Sequence, residues 1–205
     1  MLSVDAKNLL EQATLAYQEQ IEMAGPYLAA RGITKEAALT HRLGYVAEPL
    51  VGHEQYVGRL AIPFLTPTSV VDIRVRALSA DDGPKYLSRA GAEDHLYNVG
   101  AFQVDSDVIA ICEGELDTIV MHSMVGVPAV GLSGANKWKN WYARAFMDYR
   151  SVLVLSDGDQ AGKDLGKKIA QQIDVANVIH MPDGTDVNEV FLSEGREGVL
   201  RRIGL

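Results

Sequence analysis

The second half of the chain alternates short apolar runs with amphipathic segments, and this alternation limits the possible folds more than any other feature. After about residue 105 there are four apolar runs, at 108–112, 128–132, 151–155 and 177–181. The segments between them have helical spacing, near 115–125, 136–148 and 160–173. Such alternation is typical of a parallel sheet covered by helices. We therefore expect an α/β domain over residues 106–205.

The first half predicts a smaller α+β lobe over residues 1–105. Helical spacing runs through 5–23, a short helix follows near 27–32, and Thr34 is placed to cap another. Two segments, 59–65 and 69–78, have the composition of strands. We place the domain boundary near 100–107, where the pattern changes.

The composition excludes several classes of protein. With 205 residues, 47% of them hydrophobic and 22% charged, the chain resembles an ordinary globular protein. Its one cysteine, Cys112, excludes an internal disulfide and a cysteine zinc ribbon. No apolar run approaches the roughly 20 residues of a membrane span, and the N-terminus lacks the order of a signal peptide. We expect a cytoplasmic protein with no membrane and no zinc.

The net charge is −8, which by itself argues against a protein that coats nucleic acid. Residues 58–90 are an exception, because they hold five basic and three acidic side chains. From charge alone, a solvated strand face explains this excess as well as a phosphate-binding surface does.

Acidic clusters follow three of the four predicted strands. Glu113, Glu115 and Asp117 follow the first, Asp157-Gly-Asp159 follows the third, and Asp186 lies beyond the fourth. Ligands of an open parallel sheet bind beyond the carboxyl ends of its strands. Mg²⁺ takes carboxylates together with water and substrate phosphate, and it can align a phosphate for in-line displacement. The glycine of Asp157-Gly-Asp159 is expected to allow a tight turn. The three clusters together predict a Mg²⁺ or Mn²⁺ site.

Each acidic cluster alone has a simpler interpretation. An isolated Asp-Gly-Asp is typical of a turn, and an aspartate between a strand and a helix can simply cap that helix. Residues 158–164 look like a phosphate-binding Walker loop, but the loop is one residue short and lacks the Ser or Thr after Lys163. No nucleotide-driven motor is indicated.

These motifs resemble the Toprim domain of DnaG-type primases, topoisomerases and related nucleases. The Toprim pattern has a Glu after its first strand and a DxD after a later one, as at Glu113 and at Asp157 and Asp159. The details are most similar to primases, in the segments 113–117 (EGELD), 132–134 (LSG), 156–162 (SDGDQAG) and 181–189 (MPDGTDVNE). Position 188 departs from the pattern, because Asn188 stands where bacterial primases often have an Asp.

The first lobe resembles the same family. Its segments 27–33, 43–45, 59–64, 84–87 and 95–98 are similar to successive segments of the primase polymerase core, in the same order. In primases this lobe forms, with the Toprim domain, a groove for template and product. The resemblance implies that Arg74, Arg76 and Lys85 contact nucleic-acid phosphates.

The resemblance implies the catalytic core of a DNA primase of bacterial or phage type. Such a core makes short RNA primers on single-stranded DNA from ribonucleoside triphosphates, with Mg²⁺ or Mn²⁺. Asp157 and Asp159 would hold metal, Glu113 would be a ligand or an acid–base group, and Asp117 and Asp186 would support the site or a second metal. DnaG-type primases also have zinc-binding and helicase-binding domains, so a separate zinc-domain protein and a replicative helicase are expected partners.

Two other functions remain open from the residues. A Toprim nuclease would use the same carboxylates to hydrolyse a phosphodiester, but it has no need for the primase-like segments of the first lobe. A non-catalytic DNA-binding replisome adaptor would retain the fold, and weak metal binding would favour it.

Overall fold

The first of two compact units ends at Glu93, and the computed structural model describes it from residue 2. It begins with three helices and continues with a four-stranded antiparallel sheet whose strands are adjacent in chain order. These are α1 (Val4–Gln18), α2 (Gly25–Ala30), α3 (Lys35–Thr40), β1 (Gly44–Tyr45), β2 (Leu60–Thr66), β3 (Ser69–Arg76) and β4 (Tyr86–Ser88). Thr34 caps α3 by accepting a hydrogen bond from the N–H of Ala37 at 3.2 Å, as its position predicts.

The core of this unit lies between α1 and one face of the sheet. Leu10, Ala13 and Tyr17 of α1 pack against Ile73 and Val75 of β3. The side chains of a strand alternate between its two faces, so Asp72, Arg74 and Arg76 belong to the face away from α1. The position of the basic residues is thus set by the apolar pattern of β3.

The second unit, residues 94–205, contains a parallel four-stranded sheet in the order β6-β5-β7-β8. Its elements are β5 (Val108–Cys112), α4 (Glu115–Ile119), β6 (Ala129–Gly131), β7 (Ser151–Ser156), α5 (Gln160–Ala170), β8 (Ala176–His180) and α6 (Val187–Ile203). The predicted fold class, an α/β domain with a parallel sheet after a smaller α+β lobe, is confirmed. The segment predicted to be a helix over 136–148 instead forms two 3₁₀ stretches, Ala135–Lys137 and Asn140–Phe146.

Helices cover the parallel sheet. Helix α5 and the 3₁₀ stretches pack on the face that carries Ile109, Ile111, Val152 and Val154. Helices α4 and α6 contact each other away from that core, and α6 also contacts β7. All strands run the same way, so their carboxyl ends and the starts of α4, α5 and α6 lie at one edge.

Residues 94–105 belong to the second unit, whereas the sequence placed them in the first lobe. The reason is an antiparallel bridge in which Tyr97 and Gly131 exchange two backbone hydrogen bonds of 2.8 and 3.1 Å. Asn98 adds a side-chain bond to the carbonyl of Ala129 at 2.8 Å. Among residues 2–205, no helix is long and apolar enough to cross a membrane.

Candidate metal centre

The topology gathers the acidic clusters. Strand β7 lies between β5 and β8, with Cys112 opposite Leu155 and Ser156 opposite His180. Glu113 and Asp157 therefore leave neighbouring strands within one residue of the same level, and the loop after β8 returns to that end of the sheet before Asp186.

Asp157 lies at the electrostatic centre of this edge. Its Oδ1 is buried, and within residues 2–205 no hydrogen-bond partner reaches it. The pKa of Asp157 is raised to about 8, first by burial and then by the nearby charges of Asp117, Glu113, Asp186 and Asp159, in falling order of effect. The structure thus brings the other four predicted acidic residues within electrostatic reach of Asp157.

Two of the aspartates cap helices. Asp159 Oδ1 accepts a hydrogen bond from the N–H of Gly162 at 2.8 Å, at the start of α5. Asp186 Oδ1 accepts from the N–H of Glu189 at 2.8 Å, and Glu189 accepts in return from the N–H of Asp186 at 3.1 Å. The capping interpretation is therefore correct for both residues. Each cap uses one carboxylate oxygen, so it is compatible with a metal contact through the other.

Asp117 has a positioning role. Its side chain is 7% exposed, and Oδ1 accepts a hydrogen bond at 3.0 Å from the N–H of Asn188 in the first turn of α6. This bond joins α4 to the start of α6. The backbone of residue 188 makes it, so the Asn found there does not disturb the link.

Sequence reasoning missed one further pair at this edge. The Oγ of Ser156, directly before Asp157, lies 2.6 Å from Nδ1 of His180. These residues are distant in sequence, so only the strand order could have revealed their contact. Glu115, which the sequence placed in the first acidic cluster, is completely buried in the first turn of α4, and its charge contributes, after burial, to the raised pKa of Tyr97.

The sequence predicts that Gly158 allows a tight turn, but the structure shows that a glycine is needed here because another loop passes very close to it. Its backbone does not have a positive φ. A Cβ at this position would lie 1.8 Å from the carbonyl oxygen of Pro182. Two backbone hydrogen bonds hold the loop there, from Gly158 N to Thr185 O at 2.9 Å and from Gly184 N to Gly158 O at 3.0 Å. The glycine therefore makes room for the loop that leads to Asp186.

The donor set fits a hard divalent cation. The buried Oδ1 of Asp157 and the surrounding carboxylates supply the oxygen ligands and the charge that Mg²⁺ needs. Among residues 2–205, no three acidic, His or Cys side chains are positioned to hold a metal by themselves. Mg²⁺ commonly takes only one or two carboxylates and completes its shell with water and substrate phosphate. The site therefore matches a metal that arrives with a phosphate better than a closed structural metal site.

Asp159 allows capping to be separated from metal binding. We expect Asp159→Asn to leave stability nearly unchanged, because Asn caps as well as Asp, whereas Asp159→Ala should cost about 1 kcal/mol. Both variants remove the charge, so both should weaken Mg²⁺ binding to a similar extent. Chemical denaturation and calorimetric Mg²⁺ titration measure the two effects. Equal Mg²⁺ affinity in wild type and both variants would remove Asp159 from the metal site.

The predicted basic residues of the first unit have different environments. Arg76 is 7% exposed; its Nε donates to Tyr27 Oη at 2.6 Å and its Nη1 donates to Tyr86 Oη. The guanidinium of Arg74 lies 3.9 Å from the centre of the Tyr86 ring, a cation–π contact. Lys85 is exposed just before β4. Within this unit, Arg76 is buried and held by two tyrosine hydroxyls, whereas the side chain of Lys85 is open to solvent.

Comparison with known proteins supports this fold. Residues 108–197 match the Toprim domain family. The chain is 41% identical over 154 residues to the Gene 57 protein of Mycobacterium phage D29, an alignment that covers 72% of this chain and 99% of that protein. It is 26% identical over 235 residues to the DNA primase of Myxococcus xanthus, covering 93% of this chain but only 38% of that primase. A DnaG primase catalytic domain bound to single-stranded DNA superposes with a TM-score of 0.79 at 20% identity, covering 97% of this chain and 79% of that one.

The parallel sheet with acidic residues at its carboxyl edge is thus a Toprim domain. The chain belongs to the same family as the Gene 57 protein of phage D29, and it has the fold of DnaG-type primase catalytic cores, which carry this domain.

Proposed function

We propose that this chain is the catalytic core of a DNA primase and joins ribonucleotides into short RNA primers on a single-stranded DNA template. The observation that carries the proposal is the buried Oδ1 of Asp157, which is surrounded by carboxylates and matches a Mg²⁺ or Mn²⁺ ligand. The relatives named as DNA primases support the same chemistry, although the chain spans only 38% of the length of the Myxococcus enzyme.

Each residue of the centre has a distinct part in this proposal. Asp157 and Asp159 hold the metal, which when bound neutralises phosphate charge and orients the attacking oxygen. Glu113, beside Asp157 on the neighbouring strand, is a ligand or exchanges a proton with the attacking hydroxyl. Asp117 and Asp186 fix the start of α6 and add negative charge that favours the cation.

Nucleic acid is the proposed partner of the first unit. Lys85 is exposed and contacts phosphates directly, Arg74 contacts them beside Tyr86, and Arg76 supports this surface by holding Tyr86 from the interior. A separate zinc-domain protein and a replicative helicase are the proposed protein partners. All of them would act in the cytoplasm of a bacterium or of an infected host.

The carboxylates alone do not distinguish polymerisation from hydrolysis, because the same metal chemistry serves either attacking oxygen. Orientation of template and primer is a large part of catalysis, and the primase-like first lobe is suited to provide it. This lobe is why we favour synthesis over cleavage.

The test is extension of a pre-annealed RNA primer on DNA by the purified chain, with labelled ribonucleotides and Mg²⁺ or Mn²⁺. We expect addition of ribonucleotides, poor starts without a primer, and loss of both in Glu113→Gln, while the exposed-surface control Glu36→Gln remains active. Glu113-dependent cleavage without any synthesis, even with a zinc-domain partner, would favour a nuclease. Neither activity, together with DNA binding, would favour an adaptor.

A further inference from the structure

An exposed tryptophan stands out in the second unit. The chain has two tryptophans; Trp138 is 3% exposed, whereas Trp141 is 66% exposed. Tryptophan is usually largely buried, and it is enriched at interfaces, where one side of its ring is apolar and the other meets solvent or a partner. The residues around Trp141 therefore indicate which kind of ligand could bind to its exposed ring.

Trp141 has a rigid base. It lies in the 3₁₀ stretch Asn140–Phe146 and meets the ring of Tyr142 at 64°, with 4.2 Å between the ring centres. Tyr142 is buried, and its Oη donates to the carbonyl of Asp94 at 2.9 Å. Gln172 of the segment after α5 accepts from Trp138 Nε1 at 3.1 Å and donates to Asn140 at 3.2 Å. The residues on either side of Trp141 are thus anchored, and its indole rests against Tyr142 while most of its surface remains open.

Cationic side chains flank Trp141 in the sequence, and another lies on the helix that leads to Gln172. Arg144 is exposed and follows Trp141 by three residues, a spacing at which side chains eclipse in a 3₁₀ helix. Lys137 and Lys139 each lie 2.8 Å from a different oxygen of Asp94, so two positive charges share one negative charge. Lys168 lies one helical turn before Gln172 and is also exposed.

Residues 134–147 contain three cations and no acidic residue, although the whole chain has a net charge of −8. The segment also begins at the candidate metal centre, because the N–H of Gly134 donates to the carbonyl of Glu113 at 3.1 Å. An anion with flat apolar groups complements such a surface, and single-stranded nucleic acid combines both properties. Aromatic side chains within a positive groove are the usual platform for it.

We propose that Trp141, with Lys137, Lys139, Arg144 and Lys168, is a platform for single-stranded DNA. A base stacks on the indole and the neighbouring phosphates contact the cations. The proposal takes its partner, a template strand, from the proposed function. It adds a contact on the Toprim unit that is separate from the acidic residues, and it does not require catalysis.

The two tryptophans provide a direct test, because only Trp141 is open to a stacking base. Titration of the full chain with a short oligothymidylate, without metal or nucleotides, should quench the wild-type tryptophan emission. Trp141→Ala should remove the quenching and weaken binding about 5- to 150-fold, the range found for loss of one stacked base. Trp141→Phe should retain most of the affinity. Arg144→Ala should lower the slope of log affinity against log salt by about 0.7.

Met147→Ala is the matched control, because Met147 is 78% exposed just beyond the same 3₁₀ stretch and carries no charge or ring. Its affinity should equal that of the wild type. Unquenched wild-type emission, or equal affinity in Trp141→Ala and wild type, overturns the platform. Glu113→Gln separates the proposed primer synthesis from the proposed platform. If this variant loses synthesis while the oligonucleotide still quenches its tryptophan emission, both proposals are supported. A quenched wild type that never extends a primer contradicts only the proposed function.

Discussion

Asp157→Asn is expected to be more stable than the wild type without divalent metal and to lose primer extension by about a hundredfold or more. The stability gain follows first from burial of the Asp157 carboxylate and then from the charges of the four carboxylates near it, because both disfavour its ionised form. Removing its charge should add on the order of 1 kcal/mol, which raises Tm by about 2–4 °C for a protein of this size. The activity loss follows from loss of a proposed metal ligand.

The charge of Asp157 should also make the stability of the metal-free protein depend on pH. The pKa of Asp157 is raised from 3.8 to about 8 in the folded chain, so folding favours the protonated carboxyl. Stability of the metal-free protein should therefore fall as pH rises between these values, because the unfolded chain gives up the proton first. Asp157→Asn should lack this fall. Mg²⁺ should offset it in the wild type only, as thermal unfolding with and without Mg²⁺ will show. An unchanged pH profile in the variant would contradict the charge cluster.

Gly158→Ala is expected to lose about 1–3 kcal/mol of stability or more, the range for a side chain forced against fixed atoms. The new Cβ would lie 1.8 Å from Pro182 O and 2.6 Å from Pro182 C, both backbone atoms that cannot rotate away. The loop must move, and with it the two hydrogen bonds that join it to Gly158 and the approach to Asp186. Chemical denaturation measures the loss.

Gly100→Ala is the control for this substitution. Nothing lies within 4 Å of a Cβ built at Gly100, and its φ is not positive, so Ala should be nearly neutral there. If Gly158→Ala is also neutral, the loop after β8 is not held against the Asp-Gly-Asp turn. If it is destabilised but binds Mg²⁺ normally, Asp186 contributes little to the metal.

The sheet and the acidic edge could be predicted because they depend on local pattern. Apolar runs define strands, and the parallel topology then forces residues after β5 and β7 to the same edge. The 3₁₀ structure of 136–148 could not be predicted, because contacts of Trp138, Tyr142 and Phe146 with the sheet override helical spacing. The interior position of Arg76 depends on Tyr27, which is far away in sequence. The role of Gly158 likewise depends on a loop that only the folded chain brings near.

Because Asp159 and Asp186 cap helices, selection for a stable fold preserves them whether or not the protein still catalyses a reaction. A related protein that lost the proposed activity should therefore keep both residues for a long time. The Asp157 side chain caps no helix, and its charge destabilises the metal-free fold, so Asp157 should be substituted first. Among diverging copies of this gene, the first aspartate of the Asp-Gly-Asp motif should therefore be retained in active copies and lost early in inactive ones.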